Sequence, residues 1–358
     1  MLKVNILSDG PRWKDHSILY YIYKWQRDFK YQNIEINIFY DHLKIQSSSA
    51  DVVIILSRYF AEWQNIQKRN NKNEADLLEY LNKIKQNYNR VFWYDISDGT
   101  GSTDFAVIDQ VDGFLKNQVL KNRHYYTENH GRKSVRIWLE DTHPDIKTNY
   151  DFYQPCSINA LPKIKVAWNL GFCDYRYFPH YFRILSNYLT GDQKFVPINK
   201  IKHLDLSSRG TGGYDKTNLI SYQRDKVSEA IKSLKGIVKK GPKISRKEYL
   251  KEIQDSKFCV SPFGWGEICY RDFEAFLSGC VLIKPTVDYL DTFPNVYIPN
   301  ETYIPLQLNM EDTESKIQFA IDNYLTFKEI GQNGQKVYLK FIENSDYLIN
   351  HFNDLFSK

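Results

Sequence analysis

The stretch Lys257–Pro285, KFCVSPFGWGEICYRDFEAFLSGCVLIKP, sets the reading of the whole chain because it fits strand, turn, helix and strand into fewer than thirty residues. Phe258–Val260 is a short apolar run, and Ser261–Gly266 breaks it with turn formers. From Glu267 a helical period begins, with Phe273, Phe276 and Leu277 at i, i+3, i+4 and Gly279 where a C-cap belongs. Val281–Ile283 reads as a second buried strand, so the helix is expected to pack between the two. Glu267, Arg271 and Glu274 fall at i, i+4 and i+7, one stripe of that helix, with Glu267 in its first turn beside two glycines that let a ligand approach the backbone. An intrahelical salt bridge would explain such a stripe at a few tenths of a kcal/mol. The Pro-Phe-Gly-Trp-Gly turn has no purpose beside a solvent-facing stripe, which favours a ligand cradle.

Ser261-Pro262, Gly266-Glu267, Arg271, Glu274-Ala275 and Gly279-Cys280-Val281 resemble the C-terminal segment of exostosin-like and related GT-B glycosyltransferases. The resemblance implies two Rossmann-like α/β domains facing across a cleft, with a nucleoside diphosphate sugar held by the second. It would place Glu274 on the ribose hydroxyls, Arg271 on the diphosphate, Phe263 or Trp265 near the base or sugar, and Gly266 and Glu267 beside them. A large related group of retaining enzymes has seven residues between two glutamates, whereas Glu267 and Glu274 are separated by six. The implied acceptor is a glycan or glycolipid of the bacterial surface, as in lipopolysaccharide or capsule synthesis, with neither cofactor nor metal.

The chain has 358 residues, which favours two domains. Its net charge of +5 is modest for that length and gives no indication of a nucleic-acid partner. Aromatic residues make up 15%, which suits carbohydrate or base stacking but also fits a biased composition. Five cysteines show neither a C-x-x-C pair nor short metal-ligand spacing, and their odd number argues against a disulfide framework. MLKVNILSDG reads as a strand rather than a secretion signal, and no run of 18 apolar residues occurs. The expected setting is cytoplasmic, at most at the inner face of a membrane.

The expected domains are 1–195 on the acceptor side, 196–335 for the nucleotide sugar, and a terminal segment 336–358 that packs back on the first. Lys3–Leu7, Ile34–Tyr40, Asp51–Leu56, Arg90–Ile96 and Val111–Leu115 read as strands, with helices after Pro11 and over Glu74–Tyr88. Alternation of this kind predicts an open parallel sheet whose ligand-facing loops are Ser8–His16 and Ser97–Asp104. Asp98, Asp104 and His16 are therefore candidate bases for an acceptor hydroxyl, although Asp before Gly is also an ordinary turn residue. Residues 123–190 are interrupted by prolines and read as irregular. His143, Arg176 and His180 there would line a cleft or simply pack.

The alternation restarts at Ile201, where His203–Leu206 leads into Ser207-Ser208-Arg209-Gly210-Thr211-Gly212-Gly213. That loop matches neither the P-loop nor the dinucleotide fingerprint. It offers unobstructed backbone N–H groups beside Arg209, Gly210 and Arg224, which suits phosphate or sugar. Gly236–Lys240 reads as a strand, and Ser245 as the cap of a helix reaching Gln254. Lys235, Lys239, Lys240, Lys243, Arg246 and Lys247 form a basic set that would serve either solubility or contact with an anionic membrane surface. Glycosyl transfer is the leading expectation. A non-catalytic nucleotide-sugar binder and a nucleotide-sugar epimerase are the alternatives.

Overall fold

The computed structural model describes residues 1–9, 18–65, 68–128, 155–176, 192–210 and 219–356. The α/β reading holds: two parallel sheets carry the fold, one from each half of the chain. The first has the order β2-β1-β3-β4-β5-β7, built from β1 (Leu2–Leu7), β2 (Ile34–Phe39), β3 (Ala50–Leu56), β4 (Tyr88–Asp95), β5 (Gly113–Lys116) and β7 (Ile164–Val166). The second has the order β13-β11-β10-β8-β9, from β8 (Leu204–Arg209), β9 (Val238–Gly241), β10 (Ser256–Val260), β11 (Val281–Pro285) and β13 (Ile304–Leu306). Central strands such as Val52–Leu56 are wholly buried, as a β-branched run covered on both faces should be.

Among the described residues, helices of eight or more residues pack over these sheets. They are α1 (Asn71–Ile84), α2 (Leu219–Ser233), α3 (Arg246–Gln254), α4 (Tyr270–Leu277), α5 (Thr313–Asp322), α6 (Tyr324–Glu343) and α7 (Asp346–Phe356). α1 starts and stops earlier than its periodicity suggested. Asn70 caps it in a capping box with Asn73, and the chain must be extended by Tyr88 to enter β4. α4 ends as expected, with Gly279 at φ +64 and bonds from Gly279 N to Phe276 O (3.2 Å) and Cys280 N to Ala275 O (2.9 Å) that form a Schellman motif.

Two features of the irregular-looking regions were not read. β7 extends the first sheet beyond β5, and β6 (Gln118–Leu120) pairs antiparallel with β12 (Leu290–Thr292), a ribbon that takes one strand from each half of the chain. α6 spans the same junction. A Cβ at Gly331 would lie 2.3 Å from Ile198 Cδ1 and one at Gly334 2.5 Å from Thr302 O, and further along Tyr338 donates to Gly171 O at 2.8 Å.

α7 lies against the first sheet's side of the molecule. The Phe352 ring is 5.0 Å from both Phe29 and Trp168, the Phe356 ring is 4.8 Å from Phe92, and His351 Nε2 is 3.0 Å from Val166 O. Phe352 is completely buried. Phe352→Ala should therefore cost about 3–5 kcal/mol through the lost aromatic burial and the cavity left behind. Urea or thermal unfolding checks this, and an unchanged midpoint would contradict the packing described.

Candidate active site between the two sheets

In open parallel sheets, ligands settle outside the carboxyl ends of the strands, where the strand order reverses. That point lies between β1 and β3 in the first sheet and between β8 and β10 in the second.

In the first half, β4 ends at Asp95, whose buried carboxylate receives Lys116 Nζ at 2.7 Å from the end of β5. Burial pushes Asp95 up, and Lys116 overrides it to leave the carboxyl below its ordinary range. The same ammonium donates to Gly101 O at 2.8 Å, and Tyr126 donates to Thr100 O at 2.9 Å, so the glycine-rich loop after β4 is tied down. It presents Asp98 to a narrow cleft whose walls include Ile18, Arg58 and Gln118 from the first half and Ile268 and Tyr270 from the second. Asp98 Oδ1 lies 3.6 Å from Arg58 Nη2, with both side chains partly exposed.

Asp104 belongs elsewhere, and its reading as a cleft base is corrected. It is 1% exposed and accepts from Trp93 Nε1 (3.1 Å) and Gln64 Nε2 (3.2 Å) within the first half of the chain. Burial, then the charge of Asp95, pushes it up to about 7. His16, His143 and His180 lie outside the described residues. Arg176 is engaged by Asp174 at 2.9 Å and stacks 4.5 Å over Tyr20.

In the second half, Arg271 lies at the strand reversal. Its guanidinium donates to Arg209 O at the end of β8 and to Val260 O (3.4 Å) at the end of β10. Glu274, one turn along α4, is 7% exposed, and its Oε1 is paired with Arg246 Nη1 from the first residue of α3. Arg224 of α2 approaches the turn from the other side, its Nη2 3.7 Å from where a Cβ on Gly264 would stand. Among the described residues, nothing lies within 4 Å of a Cβ built on Gly210.

Several other readings need correction. α4 begins at Tyr270, so Glu267 precedes the helix instead of standing in its first turn. Glu267 is completely buried and faces the other half of the molecule, accepting from Thr100 Oγ1 at 2.8 Å and Gln118 Nε2 at 3.4 Å. Gly266 likewise admits protein, not ligand, since a Cβ there would lie 1.7 Å from Asp98 O. Phe263 is buried, with its N–H donating to Gln223 Oε1 at 3.1 Å, while Trp265 remains 47% exposed at the turn. The Arg209 guanidinium is held by Glu252 at 2.6 to 3.1 Å, leaving its carbonyl to serve Arg271.

Residues not singled out from the sequence complete the frame. Asp272 and Lys284 form a wholly buried ion pair. Asp272 also accepts from Ser261 Oγ (2.5 Å), Cys269 N (3.1 Å) and Tyr297 OH (2.9 Å), while Lys284 donates to Glu267 O at 2.8 Å. The available signal was a lysine closing an apolar strand, in VLIKP and in GFLK, because a buried ammonium demands a carboxylate partner.

No family model matches the sequence, and no curated protein matches it. Among solved structures, Anabaena HepE in complex with UDP-glucose is similar over 100% of both chains at 9% identity and a TM-score of 0.48. An alpha-glucosyltransferase in complex with UDP-glucose and DNA containing an abasic site is similar over 100% of both chains, at 11% identity and 0.47. The DNA-modifying beta-glucosyltransferase gives 10% identity and 0.48, again over 100% of both chains. At TM-scores below 0.5 these likenesses do not bear on the chemistry, which is read from the chain's own residues.

Two outcomes follow from the geometry. Gly266→Ala should destabilise the protein and disturb the cleft because the obstacle is backbone, whereas Gly210→Ala should leave the melting temperature unchanged; equal melting temperatures for both variants would contradict the close approach at Asp98. The raised Asp104 means the folded state binds the extra proton between the ordinary carboxylate range and about pH 7, so stability falls as pH rises through that window. Asp104→Asn should remove this slope, seen as a melting-temperature gain over wild type that is larger at pH 8 than at pH 4.

Proposed function

We propose that the protein is a glycosyltransferase of the GT-B type, moving a sugar from a nucleoside diphosphate to a hydroxyl of a glycan or glycolipid acceptor. The observation that carries this reading is the convergence of Arg271, Arg246 and Glu274 at the strand reversal of the second sheet. Asp98 lies in the cleft that this sheet shares with the first. A nucleoside diphosphate sugar needs a carboxylate for its ribose hydroxyls and cations for its phosphates, and this crevice supplies both.

In this reading Glu274 accepts the ribose hydroxyls. Arg271 meets the charge that develops on the leaving diphosphate, through charge-assisted hydrogen bonds from a guanidinium already oriented by two backbone carbonyls. Pre-orientation matters because a donor that need not reorganise stabilises the transition state more than the bound substrate. Asp98 takes the acceptor's proton, its carboxylate steadied by Arg58. Trp265, exposed at the turn, offers a face for base or sugar. The exostosin-like resemblance supports an acceptor in bacterial surface polysaccharide or lipopolysaccharide synthesis, with the lysines of the basic set around α3, but not Arg246, available to an anionic membrane surface and no cofactor required.

Incubation with a panel of nucleotide sugars, assayed for released nucleoside diphosphate with saccharide acceptors and with duplex DNA as the contrasting acceptor, tests the reading. Glu274→Ala should weaken donor binding tenfold or more with the fold intact by circular dichroism. Arg271→Ala should lower kcat more than it raises KM. Isomerised nucleotide sugar, or binding without transfer to any acceptor, would oppose the proposal.

A further inference from the structure

We infer that Arg246 is the resident counter-ion of Glu274 in the donor crevice and changes partner when the donor binds, passing from the Glu274 carboxylate to a donor phosphate. The inference rests on the reading of Glu274 as the ribose-binding carboxylate.

The crevice arginines differ in how they are committed. The Arg209 guanidinium is clamped by both oxygens of Glu252, and its side chain is 17% exposed. Arg271 is fixed by the carbonyls of two strands. Arg246 instead reaches Glu274 from the start of α3 with its side chain 39% exposed, while its backbone is fixed by the capping box of Ser245 and Glu248. A fixed base with a partly solvated, flexible tip allows the guanidinium to turn without moving the helix.

The exchange has a physical reason in the burial of Glu274. A carboxylate at 7% exposure cannot give up its cation without a replacement, since an uncompensated buried charge is strongly destabilising. Ribose hydroxyls supply that replacement as two O–H donors. The arriving diphosphate brings two negative charges, of which Arg271 meets one. Arg246, released by the ribose, meets the other with a planar fork suited to phosphate oxygens. The ion pair thus keeps the Glu274 charge compensated until the donor arrives, and its exchange makes tight binding depend on ribose and diphosphate together.

Calorimetry with uridine and UDP, and with the guanosine, cytidine, thymidine and adenosine pairs, measures this on the wild type, Arg246→Gln and Glu274→Gln. In Arg246→Gln the nucleoside should bind at least as tightly as to wild type, because its carboxylate is no longer occupied. The diphosphate should bind about ten- to a hundredfold more weakly, the effect of one charge-assisted hydrogen bond. Arg246→Lys should recover part of that loss. Equal weakening of nucleoside and diphosphate would show that Arg246 merely orients Glu274, and unchanged binding of both would show that it meets neither; either result overturns the exchange. Wild-type nucleoside affinity in Glu274→Gln, or no binding of any pair to wild type, would instead overturn the donor-site reading itself.

Discussion

The whole cleft depends on one close approach, in which the turn of the second sheet's βαβ unit is pressed against the loop after β4. Gly266 lies so near Asp98 O that no side chain fits between them, and Glu267 beside it is hydrogen-bonded to Thr100 and Gln118. A fully buried carboxylate keeps its place only while its donors stay. The Glu267 contacts therefore exist only while the two halves are apposed, and separating them would strand that charge.

Each side of this contact is braced in the same way. At the end of β5, Lys116 pairs with Asp95 and donates to Gly101 O; at β11, Lys284 pairs with Asp272 and donates to Glu267 O. In both cases a buried ammonium satisfies one carboxylate and one loop carbonyl, fixing a loop to its sheet. Buried pairs contribute little net stability against an apolar replacement, but breaking one is costly, so we read them as devices that hold loop register. The register in turn sets Asp98 in the cleft and Arg271 over the ends of β8 and β10.

Much of this frame was legible in the sequence because periodicity reports burial. The runs DVVIIL and VLIKP gave strands, and Gly279 gave a helix end that the positive φ explains. The stripe was legible only as residue types. Arg271 and Glu274 lie at the strand reversal of the second sheet, but Glu267 does not, because the helix starts at Tyr270 and the residues before it turn toward the first half of the chain. Partners distant in sequence were invisible: Arg246 with Glu274, Lys116 with Asp95 and the β6–β12 ribbon are long-range pairings that local spacing does not encode. Asp104 was misjudged for the same reason, since a loop position does not reveal that its side chain points inward to Trp93.

The most direct measurement is a crystal structure with a bound nucleoside diphosphate. The account expects the phosphates beside Arg271, between the ends of β8 and β10, with the ribose hydroxyls on Glu274. A nucleotide seated instead at the first sheet's reversal, beside Ser8 and Arg58, or one that leaves Glu274 without a ligand contact, would contradict it.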